Sequence, residues 1–128
     1  MGYNVLIVDD SSIARKTIVK VLSLTDIEVG SLTEAANGQE GLDAIKNNWI
    51  DLIFLDINMP VMDGIQFLTK LRSEEKNLLP HVVVVSTEGS EERQEALKSL
   101  GITAFLRKPT TPEALAGVVN ELLAKGQS

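Results

Sequence analysis

The sequence predicts an α/β fold: a five-stranded parallel sheet, strand order 2-1-3-4-5, held between two layers of helices. Short apolar runs, Asn4–Val8, Leu52–Leu55 and His81–Val85, alternate with longer segments whose apolar residues recur at helical spacing. Runs that are apolar throughout suit strands buried on both faces, as parallel sheets under helices require. The strand–helix alternation repeats five times with no linker, repeat or low-complexity stretch, so right-handed crossovers connect it most simply.

In chain order, Asn4–Val8 is the first strand, and it stops at Asp9 and Asp10. Ser11 or Ser12 caps the next helix, whose inward face is Ala14, Ile18, Val21 and Leu22. Thr25–Gly30 reads as a turn-like connection, and Ser31–Ala35 as a weak strand at the sheet edge. Asn37 and Glu40 have capping-box spacing, and Leu42 and Ile45 continue that helix to Asn47 and Asn48. The third strand, Leu52–Leu55, ends at Asp56, before the helix-incompatible Met59–Pro60.

Asp63 and Gln66 mark another cap, with Phe67, Leu68 and Leu71 facing inward. His81–Val85 is the fourth strand and ends at Ser86. Ser90 caps a polar helix to about Leu100, buried by Ala96, Leu97 and Leu100, and Gly101 stops it. Ala104–Arg107 is a short last strand before Lys108–Pro109. Thr111 and Pro112 open the last helix, with Leu115, Val118, Val119, Leu122 and Leu123 as its stripe, ending near Ala124.

Composition narrows the function. At 128 residues and 44% hydrophobic, the chain is one domain, 1–128, long enough to bury a core. Having no cysteine excludes disulfides, thiol catalysis and thiolate metal sites, and a lone histidine, His81, excludes histidine relays. No apolar run approaches the roughly 18–20 residues that span a bilayer, and the start lacks a basic n-region, so no membrane insertion is expected and the location is cytoplasmic. A net charge of −6 argues against direct nucleic-acid binding.

The polar residues fall at strand ends. Strand one ends in Asp9 and Asp10, strand three in Asp56, strand four in Ser86, and strand five just before Lys108. In the order 2-1-3-4-5 these ends are neighbours, at the sheet edge where open α/β folds bind ligands. Two carboxylates about 5 Å apart repel by roughly 3 kcal/mol at an effective dielectric of 20. Three such pairs approach about 10 kcal/mol, comparable to a domain's whole stability. Lys108 offsets part, and a divalent ion with hard oxygen ligands accounts for the remainder. Mg²⁺ fits, since it takes one or two carboxylates and serves phosphate chemistry. A carboxylate facing Mg²⁺ and a lysine suits attack on phosphorus, giving an aspartyl phosphate, with Ser86 hydrogen-bonding a phosphoryl oxygen.

The motifs LIVDD (Leu6–Asp10), LDINMPVMDG (Leu55–Gly64), VVVST (Val83–Thr87) and RKP (Arg107–Pro109) together resemble the receiver domain of two-component response regulators. The likeness runs from about Val5 to Leu123 and is to the CheY-like, stand-alone kind with a flavodoxin-like three-layer fold. It implies Asp56 as phosphoacceptor, Asp10 as direct Mg²⁺ ligand, Asp9 acting largely through water, and the Asn58 main-chain carbonyl completing the protein's ligands. It implies Ser86 as the switch hydroxyl, Lys108 as the family lysine, a cis Lys108–Pro109 bond, and Phe105 in the place of an aromatic switch residue. By the same resemblance, Asn58 and Glu88 stand at positions that in this family tune dephosphorylation.

The implied partners are a histidine kinase as phosphodonor, a phosphatase, and a target on the face of the fourth helix, fifth strand and fifth helix, where Glu91, Glu92, Arg93, Glu95, Lys98 and Arg107 would lie. Such a domain catalyses its own phosphorylation and dephosphorylation but has no turnover substrate. With the chain stopping at Ser128, no output domain is expected, so such a regulator acts by binding partners; Asn58 and Glu88 match the chemotaxis type, with a phosphorelay intermediate or an excised receiver as the alternatives.

Three rivals fit less well. A haloacid-dehalogenase phosphatase places its nucleophile in an Asp-x-Asp pattern after the first strand, whereas Asp9 and Asp10 are adjacent. A flavin or nucleotide binder would meet repulsion from the same pair. A degenerate receiver would lack an acidic residue, the acceptor or the lysine, and all are present.

Overall fold

A computed structural model describes residues 2–74, 80–87, 91–108 and 111–126. Along the chain run β1 (Tyr3–Val8), α1 (Ser12–Leu22), β2 (Val29–Ala35), α2 (Gly38–Asn47) and β3 (Leu52–Leu55). They are followed by α3 (Gly64–Glu74), β4 (His81–Ser86), α4 (Glu91–Ser99), β5 (Ala104–Arg107) and α5 (Pro112–Gly126). The five strands form one parallel sheet in the order β2-β1-β3-β4-β5, as the alternation predicts.

Because strand side chains alternate faces, the sheet splits the core in two. Leu6, Val8, Ile53, Leu55, Val82 and Val84 pack under α2, α3 and α4 through Leu42, Phe67, Leu68, Leu71 and Leu97. Val5, Ile7, Leu52, Phe54, Val83 and Val85 pack under α1 and α5 through Ile18, Val21, Leu22, Leu115, Val119 and Leu122. Burial on both faces explains why these strands are apolar at successive positions.

Local polar chemistry sets the helix boundaries. Ser11, not Ser12, caps α1, its Oγ accepting from the Ala14 amide at 3.2 Å. At α2, Asn37 Oδ1 accepts from the Glu40 amide at 2.9 Å, while Glu40 reaches back to the Ala36 amide, one residue before the cap. At α3 the box closes fully: Asp63 accepts from the Gln66 amide at 2.8 Å, and Gln66 Oε1 accepts from the Asp63 amide at 3.0 Å. Thr111 caps α5 by accepting from the Ala114 amide at 3.1 Å. Gly101, at φ +79°, ends α4 in the left-handed region that glycine enters without strain. Arg72 Nε and Nη2 then take up the Leu100 and Gly101 carbonyls at 2.6 and 2.9 Å.

Two expectations need correction. β2 begins at Val29, so Val29 and Gly30 belong to the strand and not to the connection. As an edge strand it is largely exposed, and its first pair, Val29 with Tyr3, is offset by an irregularity before Asn4 pairs with Ser31. In α4 only Leu97 is buried; Ala96 is exposed and Leu100 half-buried. A short polar helix presents so narrow an apolar stripe that one side chain reaches the sheet. The Ser90 cap, Glu88, Pro109 with the Lys108–Pro109 bond, and the Leu123 side chain lie outside the described residues.

Candidate functional site: an acidic pocket at the carboxyl edge of the sheet

The ladder itself hangs the polar residues on the sheet edge. Just past β1, the Asp9 amide donates to the last carbonyl of β2, Ala35, at 3.0 Å. Just past β3, the Asp56 amide donates to Val8 of β1 at 2.9 Å. Just past β5, the Lys108 amide donates to Ser86 of β4 at 2.9 Å. Asp9 and Asp56 therefore sit one step beyond fully buried strand ends, and Lys108 one step beyond the less buried β5, each with its main chain fixed by the neighbouring strand. Gly64 closes the loop after Asp56: its amide donates to Ile57 at 2.8 Å, and a Cβ there would lie 2.5 Å from the Asp56 carbonyl oxygen.

Asp9, Asp10 and Asp56 each offer a carboxylate oxygen, all within 4.8 Å of one another. Asp9 is 1% exposed and Asp56 8%, while Asp10 is exposed and faces the mouth. Lys108 Nζ donates to Asp9 Oδ2 at 2.7 Å and stands 3.6 Å from Asp56 Oδ2. The other Asp9 oxygen accepts from the Ser11 amide at 2.9 Å, and Asp56 Oδ1 accepts from the Ile57 amide at 2.8 Å.

Burial, then the Asp9 charge, pushes the Asp56 carboxyl above its ordinary value; Lys108 and the Ile57 amide pull it back only in part. Burial alone would lower Lys108, but its hydrogen bond to Asp9 and the Asp56 and Asp9 charges hold the ammonium above its ordinary value. The pocket thus keeps its lysine protonated and leaves negative charge unanswered. Hard oxygen donors in excess of cationic partners suit a divalent ion such as Mg²⁺.

The structure brings Asp9, Asp10, Asp56 and Lys108 together, as their strand ends predict. Ser86 is fully buried at the end of β4, paired in register with Arg107. Asn58 is exposed in the loop after Asp56. Phe105 pairs with Val84 and is half-buried against the α2–α3–α4 side of the core. Two groups were not legible as site residues. The Ile57 amide is a main-chain donor with no side-chain signature. Arg15, whose Nη1 donates to the Asp9 carbonyl at 2.6 Å, reaches back to the site from the first turns of α1 and carries no sequence motif that marks it.

Residues 5–120 match the family described as the response regulator receiver domain. The chain is 42% identical over 113 residues to a protein-glutamate methylesterase/protein-glutamine glutaminase of Halalkalibacterium halodurans, covering 87% of this chain and 32% of that protein, so it spans about a third of that relative. It is 32% identical over 122 residues to a chemotaxis protein CheY homolog of Campylobacter jejuni, covering 94% of this chain and 92% of that one. Among solved structures, CheY in the CheX–CheY–BeF3–Mg²⁺ complex from Borrelia burgdorferi superposes with a TM-score of 0.84 at 31% identity, over 94% of this chain and 89% of that one. Matched across most of its length in sequence and fold, and carrying the acidic pocket at the expected edge, the chain belongs to the response regulator receiver domains, of the CheY-like kind.

Proposed function

We propose that this receiver domain accepts a phosphoryl group on Asp56 from a histidine kinase and uses it to switch partner binding. The observation that carries the reading is Lys108 Nζ, 2.7 Å from Asp9 and 3.6 Å from Asp56, inside a cluster of three carboxylates. Asp56 Oδ2 attacks the phosphorus of a phosphohistidine; the new P–O bond replaces the P–N bond, and the imidazole leaves and takes a proton from solvent. Lys108 stabilises charge on the phosphoryl oxygens, and the Ser86 hydroxyl turns toward one of them. Asp10 would bind Mg²⁺ directly, Asp9 through water, and the Asn58 carbonyl would complete the ligand set. When bound, Mg²⁺ would neutralise charge shared between the carboxylates and the phosphoryl group.

A receiver is a signalling module and not a turnover enzyme, so its output is a shift between two populated states. Ser86 and Phe105 would carry that shift to the face of α4, β5 and α5, where a target docks; a phosphatase would end the signal. Similarity to the Campylobacter jejuni homolog over nearly its whole length favours a chemotaxis-type role over a phosphorelay intermediate.

Incubation with a small phosphodonor and Mg²⁺ should add one phosphate by mass, and Asp56→Asn should lose it. Retention of the mass increase in Asp56→Asn would overturn the assignment. Beryllofluoride should shift the amide spectrum around Ser86 and Phe105 and change affinity for a target.

A further inference from the structure

Arg15 sits in the first turns of α1 and folds back over the end of β1. Its Nη1 donates to the Asp9 main-chain carbonyl at 2.6 Å, and its Nε donates to Glu34 Oε1 on β2 at 2.9 Å. The Arg15 side chain is 18% exposed and Glu34 is 43% exposed, so the ion pair by itself is a partly solvated contact of small worth. Its consequence lies in the carbonyl. That oxygen belongs to the Asp9–Asp10 peptide, and fixing it fixes the plane from which the Asp10 side chain departs. The Asp9 amide is already held by Ala35, and the Asp9 carboxylate by Ser11 and Lys108. Asp10, exposed at the mouth of the pocket, is aimed by its main chain.

We infer that Arg15 is a positioning residue for the Asp10 carboxylate, with Glu34 orienting the guanidinium that grips the Asp9 carbonyl. This rests on the receiver reading, in which Asp10 binds Mg²⁺. Charge and positioning predict opposite outcomes here. A guanidinium beside the pocket repels a dication, so on charge alone its removal would tighten Mg²⁺ binding. Positioning requires that its removal weaken binding, as loss of groups that orient metal ligands does.

The test is a MgCl₂ titration of the full chain followed by the amide shifts of Asp10 and Ser11. Arg15→Lys keeps the charge but lacks the planar fork that serves the carbonyl and Glu34 at once. Its Mg²⁺ dissociation constant should rise about tenfold, with the metal-free melting temperature unchanged. Glu34→Gln, which leaves Arg15 in place, should shift the constant the same way by less, and, unlike the loss of a nearby negative charge, its effect should largely vanish in the Arg15→Lys background. Phosphorylation of Arg15→Lys by a small phosphodonor should need more Mg²⁺ yet reach the wild-type maximal rate. Mg²⁺ affinity equal to or tighter than wild type in both variants overturns the inference and leaves the receiver reading intact. A wild-type chain that binds no Mg²⁺, or whose binding survives Asp10→Asn, overturns both.

Discussion

Val5–Val8 of β1 and Leu52–Leu55 of β3 are buried at every position, whereas β5 is half-buried to exposed and α4 buries Leu97 alone. Both regions border one pocket. Asp9 and Asp56 extend the first, Lys108 extends the second, and the 2.7 Å bond from Lys108 to Asp9 joins them. Phosphoryl transfer needs its nucleophile and charges held to fractions of an ångström, which a close-packed strand pair provides. A switch needs a neighbour whose rearrangement costs little, and segments with few buried apolar contacts open at low free energy. On the proposed function the difference makes the pocket a junction: the phosphoacceptor chemistry would be anchored on β1 and β3, and the response would belong to the lightly packed α4–β5 flank.

Core truncations on the two sides should break this comparison if it is wrong. Phe54→Ala removes a fully buried ring from the central strand and should cost about 3–5 kcal/mol, measured by urea unfolding. Leu97→Ala should cost less, about 2–3 kcal/mol, because a one-anchor helix can settle around the gap. The sharper signature is spatial. Hydrogen exchange in Leu97→Ala should rise in α4 and β5 while the amides of β1 and β3 keep their protection. Equal loss of protection in β1 would mean that the two regions unfold as one unit.

The same contrast governs how much could be read from the residues alone. β1, β3 and β4 were legible because strands buried on both faces carry continuous apolar runs, and the caps at Asn37, Asp63 and Thr111 because capping is chemistry within four residues. The acidic pocket followed from where those runs stop. The β2 start at Val29 was missed because an edge strand buries little and so has no apolar signature. Ala96 was misplaced inward because α4 is too polar for its stripe to define a face. Arg15 was not legible because its bond to Asp9 is to a main-chain carbonyl, which has no side-chain signature, and Glu34 is brought to it only by the β1–β2 pairing.

The anchored side also carries an electrostatic cost. Asp56 in the folded chain keeps its proton to a higher pH than its ordinary value of 3.8, first through burial and then through Asp9. Between 3.8 and the raised value the folded form binds more protons than the unfolded form, so stability falls as pH rises through that window. Above it the cost is fully present. Asp56→Asn removes the charge at nearly constant shape and leaves the 2.7 Å Lys108–Asp9 bond in place. Without Mg²⁺ it should therefore melt above wild type at neutral pH, and the gap should close as pH falls toward 3.8. A lower melting temperature for Asp56→Asn at neutral pH would show that Lys108 already balances the cluster.

The smallest effect expected is at Val61, in the loop between Asp56 and α3. Val61 has φ +68°, a region in which a β-branched residue is an outlier, and its side chain is 82% exposed. The turn is held from several directions: the Met62 amide donates to Pro60 at 2.7 Å, the Gly38 amide to Met62 at 3.1 Å, and the Gly64 amide to Ile57 at 2.8 Å. A backbone so determined by its neighbours can keep a side chain that it disfavours. Asparagine tolerates this region, and an exposed valine surrenders little apolar contact, so Val61→Asn should stabilise the chain by about 0.5–1 kcal/mol in urea unfolding. Val61→Gly relieves the same strain but frees the unfolded chain, and should gain less. If the anchored side sets this loop, Val61→Asn will leave phosphoryl uptake at Asp56 unchanged while raising stability. A gain in stability with altered uptake would mean that the strain at Val61 is part of how the pocket holds its shape.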